Sequence, residues 1–148
     1  MALSKREFEV LAAFRYKLRE FLAYSEKASA AVGLTQQQYQ ALLAMRAHAG
    51  PEPLTISDLA NQMLIKHHSA VGMVNRLEQQ GMVRREEAPT DRRKVAIRLT
   101  DAGARVFQKL ASMHIGELRR IAPDLECFFG YFARGARRPA NARRRARS

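Results

Sequence analysis

The sequence holds a single cysteine, Cys127, so no intrachain disulfide can form and no paired-cysteine zinc motif is available. That usage fits a reducing compartment, and the expected location is the cytoplasm. No apolar run approaches the roughly 18 residues that a membrane-crossing helix needs, so no membrane partner is expected. The opening MALSKREFEV carries acids and lacks a long apolar stretch, so it does not read as a secretory signal. Also missing are a glycine-rich phosphate loop, carboxylates at metal-binding spacing, and a serine or cysteine beside a base in a nucleophile motif. These absences argue against an enzyme, and no cofactor is expected. Acidic residues are the last shortage: 14 Asp and Glu face 26 Lys and Arg, a net charge of +12. Such an excess calls for a polyanionic partner. Seven of the arginines lie in residues 134–148, which contain no acid; the rest of the chain carries 19 basic and 14 acidic residues, a net +5.

What is present is enough for a core, since apolar residues make up 47% of the 148. Apolar spacing predicts a long helix over 4–30, with Ser4 and Glu7 at capping-box positions and Gly33 at the exit. Phe8, Leu11, Leu18, Phe21 or Leu22, and Ser25 fall near one stripe of it, with Phe14 on a neighbouring face. A second helix spans 35–48, capped by Thr35 with Gln38 three residues on, and Ala49-Gly50-Pro51-Glu52-Pro53 breaks it. A short helix over 56–63, starting at Thr55 or Ser57, is joined by a tight turn at 64–66 to a helix over 67–80. Gly81 suits the left-handed position beyond that helix. The period then changes to two: 82–87 and 94–99 read as strands joined by the polar loop Ala88–Arg93. Thr100 caps a helix over 101–121. Pro123 ends or restarts it, and a last short helix covers 124–132. Residues 134–148 are Arg-rich and expected to be disordered. No internal repeat occurs.

The fold class is therefore mainly α with a small β-hairpin. Two short helices, a tight turn and a charged hairpin, in that order, make a winged helix-turn-helix. The helix over 67–80 suits the major groove of double-stranded DNA. With Ala70, Val71, Val74 and Leu77 turned inward, its outer face presents His67, His68, Ser69, Gly72, Asn75, Arg76 and Gln79. Most of these are short or hydrogen-bonding, as base-edge contact requires. The hairpin carries Arg84, Arg85, Arg92, Arg93, Lys94 and Arg98, suited to phosphates or a narrow minor groove.

The run Arg76-Leu77-Glu78-Gln79-Gln80-Gly81-Met82-Val83-Arg84-Arg85 resembles the R-L-E-x-x-G-L-V-x-R segment of MarR-family regulators. Asp91-Arg92-Arg93, followed by Leu99-Thr100-Asp101-Ala102-Gly103, resembles that family's wing signature and the L-T-x-x-G that closes it. Leu34-Thr35-Gln38-Tyr39-Leu42-Leu43 and Ile56-Ser57-Asp58-Leu59-Ala60 look like its second and third helices. The resemblance covers about residues 5–132. It implies one domain over 1–133, with helices in 4–33 and 101–133 dimerising and 35–100 forming the winged helix-turn-helix. It also implies a homodimer on a pseudo-palindromic operator, usually repressing and often released by a small phenolic or aromatic-acid effector. Arg93 would enter the minor groove, Asp91 would orient it, and Arg92 and Lys94 would flank them. Two positions depart from the pattern: Leu64 stands where the turn commonly has glycine, and Asn75 stands where an acid often precedes Arg-Leu-Glu.

Weaker signals have plainer readings. His67 and His68 are adjacent, so on a helix they point about 100° apart and chelate a metal poorly. No metal is expected. Cys127, followed by Phe128 and Phe129, reads as a buried structural thiol. Phe14, Arg15, Tyr39 and His48 are candidates for an effector pocket, although aromatic stripes are more often core. The competing function is an architectural DNA-binding protein of low sequence specificity, which the arginine-rich end favours.

Overall fold

The computed structural model describes residues 2–136. Five helices and one hairpin follow in order: α1 (Lys5–Ala30), α2 (Gln36–Ala47), α3 (Ile56–Met63), α4 (His67–Gln79), β1 (Val83–Glu87), β2 (Val95–Leu99) and α5 (Asp101–Ala136). Up to the start of the last helix the elements come in the expected order, with ends shifted by one or two residues.

The helix starts form as their side chains dictate. Thr35 and Thr55 sit in extended backbone, and each hydroxyl accepts from the backbone N–H three residues on. Gln38 and Asp58 return the bond to the cap N–H, completing two capping boxes. Ser4 and Glu7 make the same exchange at the start of α1. Gly33 (φ 77°) and Gly81 (φ 73°) take the left-handed positions after α1 and α4.

One element differs from expectation. α5 runs unbroken through Pro123 to Ala136, where two helices were expected. Proline removes one N–H and crowds the carbonyl four residues back, but its fixed φ is helical. Packing on both sides keeps the path: Ile121 is buried, and Phe128 contacts Phe14 of α1.

The chain forms two compact units. One comprises 23–115 and contains α2, α3, α4, the hairpin, and the inner portions of α1 and α5. Its core gathers Leu42, Leu59, Val74, Leu77, Val83, Ile97 and Leu110, all essentially inaccessible to water. The hairpin is antiparallel, with Arg84 opposite Arg98 and Arg85 opposite Ile97. It is tied to the α2–α3 connection by an Ile97 N–H bond to the Leu54 carbonyl (2.9 Å) and a bridge between Thr55 and Ala96. Gln38 donates to Gln80, and Gln80 donates to the Gly33 carbonyl, both at 2.9 Å, locking the start of α2 to the end of α4.

The other unit comprises the chain's ends, up to Leu22 and from Gly116. Phe14 packs edge-to-face on Phe128, Phe129 and Phe132, with centroids 5.8–6.0 Å apart. Lys17 bridges Glu20 (3.3 Å) and Asp124 (3.1 Å), and these carboxylates hold its ammonium above the ordinary lysine range. Cys127, on α5, is exposed rather than buried. Within the described residues no helix is long and apolar enough to cross a membrane. The arginine-rich segment lies outside the described residues beyond position 136.

Candidate nucleic-acid interface

The turn between α3 and α4 sets the pose of α4. Leu64 adopts φ 55°, the left-handed conformation a glycine would take freely, and its N–H reaches back to Ala60 and Asn61. Its side chain is 93% exposed, so nothing is gained by burying it and the residue serves its backbone. The Ile65 N–H closes on the Ala60 carbonyl at 3.0 Å. α4 then packs through Ala70, Met73, Val74 and Leu77.

That packing turns the opposite face outward. His67, His68, Ser69, Asn75, Arg76 and Gln79 are exposed, and Gly72 is partly so. No acid occupies the first turn of α4, so its N-terminal dipole is left for an anion. The two histidines belong to no metal-holding cluster among the described residues.

Asn75 plays a part that the sequence did not disclose. Its side-chain oxygen accepts from the Arg85 guanidinium on β1. The neighbouring Glu78 accepts from the Arg85 backbone N–H at 3.3 Å. Two residues of α4 thus fix one residue of the hairpin. The signal was legible only as motif: Glu78 is the acid of Arg-Leu-Glu, and Arg85 closes the same run. Spacing alone says nothing about a contact between a helix and the strand after it.

At the hairpin tip, Arg93 donates from its backbone to Asp91 (3.0 Å) and from its guanidinium to both carboxylate oxygens (3.2 and 3.3 Å). The Arg93 side chain nevertheless stays 91% exposed. Asp91 therefore sets the arginine's direction without covering it. The Arg93 guanidinium holds the Asp91 carboxyl below the usual carboxylate range. Arg92 and Lys94 are exposed beside the pair. Arg93, Lys94 and Arg85 share a cleft of about 240 Å³ with His67 of α4 and Ser57 of α3, so hairpin and helix present one basic surface.

Of the four residues considered for an effector pocket, Phe14 and Arg15 fall in the end unit and Tyr39 and His48 in the other. Phe14 belongs to the aromatic cluster of the end unit, and Arg15 is exposed on α1. Tyr39 is buried, stacking on His114 at 4.2 Å and on Phe107 at 6.1 Å. Burial pushes its phenol pKa up. His114 itself hydrogen-bonds Ser25 and the Leu110 carbonyl, each at 2.7 Å. His48 follows α2 and lines a separate cleft beside the hairpin.

Comparison with known proteins meets this geometry. Residues 32–94, which contain α2 to the hairpin tip, match the model of the MarR family. The HTH-type transcriptional regulator PecS of Dickeya dadantii (strain 3937) is 30% identical over 88 residues, 60% of this chain and 53% of that protein. The chain spans about half the length of the curated relatives it matches. The crystal structure of AbsC, a MarR family transcriptional regulator from Streptomyces coelicolor, superposes with a TM-score of 0.71 and 27% identity, covering 84% of each chain. CouR from Rhodococcus jostii RHA1, solved bound to p-coumaroyl-CoA, superposes with a TM-score of 0.64 and 26% identity over 73% of this chain and 74% of that one. Through residues 32–94, which hold the two short helices and most of the hairpin, this chain is similar to the transcriptional regulators of the MarR family.

Proposed function

We propose that the protein is a transcriptional regulator that binds double-stranded DNA as a homodimer, with α4 in the major groove and the Asp91–Arg93 tip in the minor groove. The observation that carries this reading is the single basic surface of helix and hairpin. An exposed Arg93 is aimed by Asp91 while Asn75 and Glu78 clamp the hairpin to the helix. His68 and Ser69 contribute base-edge contacts, and Arg76, Arg92 and Lys94 hold phosphates.

Dimerisation is supported by the end unit. It leaves Phe8 (56%), Leu11 (44%), Leu18 (40%), Leu22 (47%) and Phe129 (56%) exposed, more apolar surface than a lone soluble unit comfortably carries. Two recognition helices then meet half-sites about 34–36 Å apart. Repression relieved by a small aromatic acid is the regulatory mode we propose. CouR, solved with p-coumaroyl-CoA, the thioester of a phenolic acid, supports an aromatic acyl group as the recognised part of the ligand. The site of action is the cytoplasm.

Fluorescence anisotropy against the gene's own upstream DNA and against scrambled DNA tests the reading. A preference of about 10³-fold or more that persists at raised salt is the expected result. Equal affinities that collapse together as salt rises, with no site recovered by selection from random DNA, identify the architectural alternative. Arg93→Ala should weaken binding at every site. Ser69→Ala should change base preference by about 1–3 kcal/mol at one position.

A further inference from the structure

A second concave site lies on the other side of the hairpin. A cleft of about 370 Å³ opens between the α2–α3 connection and the strands, walled by Arg46, His48, Glu52, Arg84 and Arg98 and floored in part by Leu54. Arg85 is held by Asn75 of α4, and neighbouring side chains of a strand point to opposite faces, so Arg84 faces away from α4. The cleft is therefore not part of the surface that α4 presents.

Its charge is unbalanced. Arg84 and Arg98 are direct cross-strand partners, a pairing of like charges that costs stability unless something offsets it. Arg98 has Glu86 as its partner. The side chains of Arg46 and Arg84 have no hydrogen bond or ion pair among the described residues. Glu52 lines the same cleft, and its Oε2 atom is buried with no hydrogen-bond donor among the described residues, which is costly for a carboxylate oxygen. Two arginines lacking an acceptor thus border a carboxylate lacking a donor, in a space larger than one inorganic ion fills. We propose that this cleft binds a small organic phosphate bearing hydroxyl groups, its phosphate held by Arg46 and Arg84 and a hydroxyl donated to Glu52. Guanidinium forks match phosphate oxygens in pairs, and a hydroxyl is the donor Glu52 lacks.

The ligand contacts both the end of α2 and the hairpin through these side chains. It thereby fastens the hairpin at its outer face, as Asn75 and Glu78 fasten it at the inner one. The proposal does not rest on DNA binding, and its test uses the protein alone.

The full chain, labelled at its arginine Nε–Hε groups, is titrated with ribose 5-phosphate, inorganic phosphate and ribose at constant ionic strength. Ribose 5-phosphate should move the Arg46 and Arg84 signals and saturate in the millimolar range or below. It should bind about tenfold more tightly than inorganic phosphate, the contribution of one hydrogen bond to a charged acceptor. Ribose should do nothing. Arg46→Gln and Arg84→Gln should each weaken binding about tenfold or more, and Glu52→Ala, which removes the acceptor, should erase the advantage over inorganic phosphate. Unmoved arginine signals with ribose 5-phosphate in the millimolar range would overturn the site. So would shifts equal to those of surface arginines. Equal affinity for both phosphates overturns the role of Glu52.

Discussion

Gly103 shows how a single residue carries a motif. A Cβ placed on it falls within overlap distance of the Met82 carbonyl oxygen and 2.8 Å from the carbonyl carbon, both rigid backbone. That carbonyl also accepts from the Thr100 N–H at 3.0 Å, so neither side can yield easily. Gly103→Ala should cost at least about 1–3 kcal/mol in urea denaturation, as overpacking does. A variant as stable as the parent would mean that α5 starts elsewhere. Thr55→Ala should cost about 1 kcal/mol by removing an N-cap. The reciprocal bond in that box gives a pH signature. The Thr55 backbone N–H holds the Asp58 carboxyl below its usual value. A carboxyl with a lower value in the folded state stabilises above its unfolded value, near about pH 4, and that stability is lost as pH falls through the folded value. Asp58→Ala should therefore flatten the loss of stability below about pH 4 while lowering stability at neutral pH. A parallel offset at all pH values would contradict this assignment.

At the scale of elements, two features set the path of the chain against local preference. The α3–α4 turn places Leu64 in left-handed backbone with its side chain in water. A non-glycine residue there costs roughly 1–2 kcal/mol, offset in part by the greater chain entropy of glycine. Leu64→Gly should thus raise stability by about 0.5–1 kcal/mol without moving α4, readable as a higher Tm with unchanged DNA affinity. Pro123 is the second case. α5 continues through it, so Pro123→Ala restores a donor inside a helix and should add up to about 3 kcal/mol. A drop in Tm would show that the proline-shaped path is itself required for packing near Ile121 and Phe128.

For the whole molecule, charge and exposed apolar surface dominate. If each dimer neutralises six to ten phosphates, affinity should fall about 10³–10⁵-fold between roughly 50 and 200 mM salt, and Arg93→Ala should make the dependence shallower. Leu11→Glu with Leu18→Glu, both on exposed apolar positions of α1, should convert a micromolar dimer to monomer in sedimentation. A dimer that persists would move the interface off these residues. The order of elements, the caps and the glycine positions were legible because each is a local rule acting over three or four residues. The outward face of α4 was legible because most of its inward stripe was, although Met73 is buried there and Val71 only partly so. Asn75–Arg85 and the cleft lined by Arg46 and Arg84 were not, since both join residues brought together only when the hairpin folds back.

The sequence by itself determined the helix and hairpin plan, the family resemblance through Arg-Leu-Glu and the wing signature, and the basic balance that calls for a polyanion. Tertiary structure decided what proline, cysteine and leucine did in context. Packing on either side carried α5 through Pro123, Cys127 stayed exposed on α5, and the α3–α4 turn imposed a left-handed backbone on Leu64. It also decided which charges are held and which stay free, since a charge is compensated by whatever lies within a few ångströms in space. Arg93 stays bound to Asp91 two residues away, while Arg46 and Arg84, from distant parts of the chain, share one cleft.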